Sequence, residues 1–176
     1  MPLNFQLLSM MELRRAPGEV LDRVAEKREA FIVERNGRQM ACLVPLSVFM
    51  PDIQPARLAR EFEQLQADNQ AHTTSITEER ELDLHFRDEG PDQGMTLTVR
   101  LPHDYPSACP KVYAHPIPDD CPHRWQDGSL CIFGAMEIWN PGRHDVLYVL
   151  GLARRWLTHF EEWQRSGAWG EDSDNG

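Results

Sequence analysis

The spacing of apolar and polar positions changes several times along the chain, and each change predicts an element. Ser9-Met10-Met11-Glu12 fits a capping box, in which the Ser hydroxyl and the Glu carboxylate each satisfy an orphan helical N–H. A second helix start lies at Pro17-Gly18-Glu19, after which Val20, Leu21 and Val24 fall on one helical face. Two apolar runs follow, Phe31-Ile32-Val33 and Met40-Ala41-Cys42-Leu43-Val44, separated by Asn36-Gly37. Asn-Gly between such runs signals a hairpin, because both turn residues need φ > 0. Pro45 ends the second strand. The first segment therefore reads as helix, helix, hairpin.

Pro51-Asp52-Ile53-Gln54-Pro55 reads as a linker, since its two prolines interrupt any continuing helix. Beyond it Leu58, Phe62 and Leu65 recur at spacings of four and three, with Arg60, Glu61 and Glu63 between them, which predicts an amphipathic helix with those charges on its solvent side. Thr73 through Phe86 alternates loosely, and Gly90-Pro91-Asp92-Gln93-Gly94 is a turn cluster. Met95-Thr96-Leu97-Thr98-Val99-Arg100-Leu101 alternates with period two, the pattern of a half-buried strand. Loops and a final helical stretch complete an α+β arrangement with an antiparallel sheet.

Composition adds bounds. The chain has 176 residues, 41% hydrophobic and 26% charged, as expected of a core-forming protein. Its net charge of −10 opposes a surface that grips nucleic acid throughout. The charge is unevenly placed: within residues 1–53 the acidic and basic side chains balance, so any DNA-binding surface belongs to that segment. No apolar run reaches the roughly 18–20 residues that span a bilayer, and Met1-Pro2-Leu3-Asn4-Phe5-Gln6 lacks the pattern of a secretory signal. Cys42, Cys109, Cys121 and Cys131 show neither a CxxC nor a disulfide spacing, which points to reduced thiols in a cytoplasmic protein.

The first segment resembles a known family. Glu12-Leu13-Arg14-Arg15, Pro17-Gly18-Glu19-Val20-Leu21-Asp22-Arg23-Val24, the Val33…Asn36-Gly37 turn and Leu43-Val44-Pro45-Leu46 resemble the N-terminal domain of Phd-type antitoxins over about residues 4–50. The resemblance implies a small α/β unit that forms a homodimer and contacts operator DNA through its N-terminal arm and first helices, with Arg14 and Arg15 as the candidate DNA contacts. The zero net charge leaves a second reading open, a module kept only for dimerisation or docking.

The densest chemistry lies between Pro102 and Pro141. Asp127-Gly128 is a turn that delivers Cys131 to a surface, with His123 on its other arm. A thiol near an imidazole in an irregular loop fits an activated nucleophile, but alone that signal is weak, since Cys is often a small buried hydrophobe. Cys121, His123 and Cys131 as zinc ligands lack the usual paired spacing. Trp139 and Pro141 read as packing elements that shape the loop, Trp125 as the cover of a core edge, and Cys109 and Cys121 as bystanders. His144-Asp145 either forms an imidazole–carboxylate pair or begins the next helix.

The order of the pieces narrows these readings. Tyr105-Pro106-Ser107-Ala108-Cys109-Pro110-Lys111-Val112, then Pro122 ahead of Asp127-Gly128-Ser129-Leu130-Cys131-Ile132, then Trp139-Asn140-Pro141, resemble ubiquitin-conjugating enzymes around their active-site cysteine. The resemblance runs from about Arg57 to Leu157. It implies a ubiquitin-conjugating-like fold: N-terminal helix, antiparallel meander sheet, active-site loop, C-terminal helix. It implies further that Cys131 takes a modifier's C-terminus as a thioester and passes it to an amine, with no cofactor and no metal. The chain departs from that pattern in two places. His123 stands where those enzymes carry Asn, and a ring N–H there can stabilise an oxyanion in its stead. Phe133 replaces the Asp often found two residues after the cysteine. The abbreviated C-terminal region, together with His in place of Asn, resembles the bacterial relatives of antiphage signalling and of other ubiquitin-like operons.

The expected organisation is a Phd-antitoxin-like module over 1–50, a linker over 51–56, a ubiquitin-conjugating-like domain over 57–169 and an acidic tail over 170–176. The expected partners are a ubiquitin-like modifier or cyclase C-terminus, an adenylating activating enzyme and a target Lys, with a homodimer through residues 1–50, operator DNA and no membrane. The competing reading is an antitoxin or transcriptional repressor whose conjugating-type domain is non-catalytic.

Overall fold

The computed structural model describes residues 4–48, 54–87, 94–133 and 138–170. The chain divides into two compact units, Met1–Pro51 and Asp52–Gly176. Residues 51–53 of the expected linker, residues 90–93 of the turn cluster and 171–176 of the acidic tail lie outside the described residues.

In the first unit, β1 (Phe5–Ser9) leads into α1 (Met10–Arg15) and α2 (Pro17–Lys27), followed by β2 (Ala30–Arg35) and β3 (Arg38–Leu43). The capping box forms as the sequence predicts: Glu12 donates its backbone N–H to Ser9 Oγ at 3.2 Å, and Ser9 donates its own to Glu12 Oε2 at 2.9 Å. The Ser9 hydroxyl, which also donates to Glu12 Oε2 at 2.6 Å, and then the Ser9 N–H hold the Glu12 carboxyl below its usual pKa. Asn36 (φ 53°) and Gly37 (φ 74°) close the β2–β3 hairpin.

The reading of helix, helix, hairpin omits β1, which pairs parallel with β2 and makes β2 the central strand. Phe5-Gln6-Leu7-Leu8-Ser9 shows no alternation, because only Leu8 is fully buried in it. Leu8 joins Val20, Val24, Phe31 and Val33 in the core, so both helices and the sheet share one apolar layer. The other side of the sheet is open: Leu7 and Cys42 flank Ile32 in register, and Leu7 is 67% exposed.

In the second unit α3 (Pro55–Ala67) precedes a four-stranded antiparallel meander, β4 (His72–Ile76), β5 (Leu82–Arg87), β6 (Thr96–Leu101) and β7 (Lys111–His115), and the long helix α4 (Val146–Ser166) follows. Pro55 is the first residue of α3, a position that suits its fixed φ and missing N–H, so the helix starts inside the stretch read as linker. β6 alternates as expected, burying Leu97, Val99 and Leu101. Those side chains meet a core with Leu58 and Leu65 of α3, Leu84 and Phe86 of β5, and Val149, Leu150, Ala153 and Leu157 of α4. Among the described residues, no helix is long and apolar enough to cross a membrane.

Glu61 departs from the amphipathic pattern: it lies among the charges expected to face solvent but is 1% exposed. Its carboxylate accepts from Tyr105 Oη, Arg57 Nε and the backbone N–H of Val146. Arg57 in turn donates to the carbonyls of Pro141 at 3.0 Å and His144 at 2.6 Å. A buried carboxylate is tolerable because each oxygen finds a donor and a cation lies beside it.

Candidate active site

Between β7 and α4 the chain makes a tight hairpin whose arms carry His123 and Cys131. Arg124 and Leu130 bridge its arms, Trp125 donates to Ser129 O at 2.8 Å, and Gly128 donates to Trp125 O at 2.9 Å. Gly128 turns the chain at φ 82°, in the left-handed region where a side chain is strained. Asp127 completes the turn by accepting both the N–H and the hydroxyl of Ser129, at 3.0 and 2.6 Å, and by pairing with Lys111 at 2.7 Å. Lys111 first, then Ser129, holds the Asp127 carboxyl well below the usual carboxylate range. Leu130 anchors the hairpin to β7 by donating to Val112 O at 2.7 Å.

The two residues that sequence reasoning pairs are joined here through the main chain. Cys131 donates its backbone N–H to His123 O at 2.9 Å. The same oxygen accepts Trp156 Nε1–H from α4 at 3.0 Å. His123 itself sits at φ 57°. Its imidazole is exposed and stacks on Trp169, with ring centroids 4.6 Å apart and planes 24° from parallel.

The four thiols lie in different surroundings. Burial pushes Cys109 up to about 11 and raises Cys121 as well, and each donates to a neighbouring carbonyl, Pro110 O or Pro122 O. Both are therefore poorly suited to attack at neutral pH. Cys42 is exposed on β3 in the other unit, and Cys131 is half-buried at the end of the hairpin.

A cleft of about 720 Å³ opens beside that hairpin, lined by Pro110, Trp125, Leu130, Ile132 and Phe133 and rimmed by Lys111 and Asp127. Trp125 is 62% exposed and forms a wall of this cleft, not the cover of a core edge. Phe133, which stands where conjugating enzymes often carry Asp, meets Trp139 edge-on at 6.4 Å, so an aromatic contact takes the place of that polar group. Trp139 packs on Tyr105 at 6.1 Å and donates to Pro106 O at 2.8 Å, the loop-shaping role read from sequence. Of the two readings of His144-Asp145, the structure carries the helix start. Asp145 caps α4 by accepting from Tyr148 N–H, while His144 Nδ1 accepts from Asn140 N–H.

Arg14 and Arg15, the candidate DNA contacts, lie exposed in the last turn of α1 in the first unit. Among the described residues, no three His, Cys, Asp or Glu side chains are grouped to hold a metal ion. Sequence reasoning did not single out Trp156, Trp169 or Glu61. The only trace of Trp169 in the sequence is an aromatic bracketed by Gly167 and Gly170 beyond a helix end.

With this geometry in place, comparison adds one finding: the family model described as type II CBASS E2 protein matches residues 54–175, a span that holds α3, the meander, the hairpin and α4. No curated protein matches the chain.

Proposed function

The chain belongs to the type II CBASS E2 family, and from that membership we propose that Cys131 accepts the C-terminus of a ubiquitin-like modifier, or of a cyclase, as a thioester and passes it to a target amine. The family's role is ubiquitin-like conjugation in antiphage signalling, with an E1-like activating enzyme and a ubiquitin-like modifier as partners. The observation that carries the reading is the hairpin. It holds Cys131 half-buried between Leu130 and Ile132, which line the cleft, and ties its amide to His123 O.

In this reaction the Cys131 thiolate attacks the carbonyl carbon of the modifier's thioester on the activating enzyme. A new C–S bond forms, the old one breaks, and the activating enzyme's cysteine leaves as thiolate. The amine of a target Lys then attacks the same carbon, forms an amide and releases Cys131, and the proton it loses goes to solvent. In both steps the negative oxygen of the tetrahedral intermediate needs a donor, and the His123 ring N–H is the group we assign to it.

A peptide thioester of mercaptoethanesulfonate tests this without an activating enzyme. The parent should exchange it onto Cys131 and give a mass adduct that dithiothreitol removes. Cys131→Ala should form none, while Cys109→Ala should charge as the parent does. Equal charging of Cys131→Ala and the parent would overturn the assignment.

A second reading concerns the first unit. We infer that it is a Phd-like module that pairs with a second copy over its open sheet face. Supporting this, the helices cover one side of the sheet only, and Leu7 and Met40 stand 67% and 58% exposed. The same module would present Arg14 and Arg15 to operator DNA. A dimer in sedimentation that Leu7→Glu dissociates supports the pairing. Binding to the gene's own promoter DNA that weakens with salt and with Arg14→Ala or Arg15→Ala supports the contact. No shift of that DNA at low salt sinks the contact.

A further inference from the structure

We propose that Trp169 is the positioning residue for His123, so that the turn after α4 belongs to the machinery of the Cys131 reaction. This rests on the reading of Cys131 and His123 given above. The argument begins at the end of α4. Gly167 adopts φ 74° and donates its N–H to Trp163 O, which stops the helix and reverses the chain. Ser166 Oγ holds the reversed segment by accepting Ala168 N–H at 3.1 Å. Gly170 lets the segment lie close to α4: a Cβ there would lie 2.7 Å from Glu162 Oε2 and 2.8 Å from His159 Nδ1, so those side chains would have to move.

Between these two glycines Trp169 is packed on three aromatic rings. Its ring lies 5.0 Å from Trp156, 6.2 Å from His159 and 4.6 Å from His123. Trp156 is thus shared: its ring supports Trp169 while its Nε1–H holds His123 O. His123 is fixed twice as a result, its main chain by Trp156 and Cys131 and its imidazole by Trp169.

The second restraint matters because the first does not orient the ring. An exposed side chain with two free torsions samples several rotamers, and a group that must meet a developing oxyanion loses rate when it is unplaced. Trp169 supplies the plane on which the imidazole rests.

The test has two readouts. The first is the ¹H–¹³C NMR spectrum of the full chain, with His123 assigned by its loss in His123→Ala. The imidazole C–H signals should be displaced by the Trp169 ring current in the parent, return toward free histidine in Trp169→Ala, and stay displaced in Trp169→Phe. The second is discharge of the peptide–Cys131 thioester to free lysine. Trp169→Ala should lower kcat roughly tenfold with little change in KM for lysine, and Trp169→Phe should restore most of the rate. His123→Ala/Trp169→Ala should be no slower than His123→Ala alone.

Unchanged imidazole signals in Trp169→Ala overturn the proposal. So does parent-like discharge by Trp169→Ala when His123→Ala is slow. A parent that never charges overturns the conjugation reading instead, and it is told apart by a ring-current shift that persists.

Discussion

Tyr105 points its hydroxyl at the middle of the Glu61 carboxylate, 2.6 Å from each oxygen, across 44 residues of sequence. Burial first, and the bond to Glu61 second, raises the Tyr105 phenol above its usual pKa, so it stays a donor at any physiological pH. Glu61 also accepts the first N–H of α4 and pairs with Arg57, which holds the loop ahead of that helix.

Glu61→Ala is therefore expected to destabilise the second unit by about 3–5 kcal/mol, since it strands a half-buried guanidinium and an orphan helix N–H. Tyr105→Phe keeps the ion pair and should cost about 1.5–3 kcal/mol. Urea unfolding of both variants, followed by tryptophan fluorescence, checks the order. An equal effect of the two would show that the charge pair contributes nothing.

Gly128→Ala should cost about 1–2 kcal/mol, because φ 82° is strained for any residue with a Cβ. Steric crowding is not the cause, since the nearest atom to such a Cβ is the flexible end of Arg124 at 3.5 Å. Charging of Cys131 by the peptide thioester should slow severalfold, and Gly128→Asn should be milder on both counts. A charging rate untouched by Gly128→Ala would mean that the turn does not govern the thiol.

Asp127 gives a pH dependence of known sign. Its pKa is lowered in the folded chain, so its bonds to Lys111 and Ser129 stabilise the fold fully above the unfolded value of about 4. That stabilisation is lost as pH falls from there toward the lower folded value. Because the pair is exposed, it contributes at most about 1 kcal/mol. Asp127→Asn should lower Tm slightly at pH 7, and the two melting curves should converge below about pH 4. A gap that widens in acid would reverse the assignment.

The thiols should separate by reactivity. With iodoacetamide at neutral pH and peptide-resolved mass spectrometry, Cys42 and Cys131 should be alkylated first. Cys109 should lag and quicken as pH rises toward 11, and buried Cys121 should stay slow. Fast neutral labelling of Cys109 would remove the distinction between it and Cys131.

What could be read from the sequence was local. Asn36-Gly37, the Ser9–Glu12 box and the alternation of β6 each depend on neighbours a few residues away, and each forms as expected. The Asp127-Gly128 turn belongs to the same class, which is why Cys131 could be placed opposite His123. The misses are long-range. β1 is a strand because β2, some 25 residues on, pairs with it. Glu61 read as solvated because its partners, Tyr105 and Val146, are 44 and 85 residues away. Trp125 read as a cover and Trp169 went unread, since neither sits in a periodic element that would betray its neighbours.

The carbonyl of His123 receives two N–H groups, one from the Cys131 amide and one from an indole on α4. A single oxygen is thus the common bearing of the Cys131 arm and α4. Loss of the Trp156 indole would therefore release His123 and Cys131 together, because the arm that carries the thiol and the helix that backs it meet at that one acceptor.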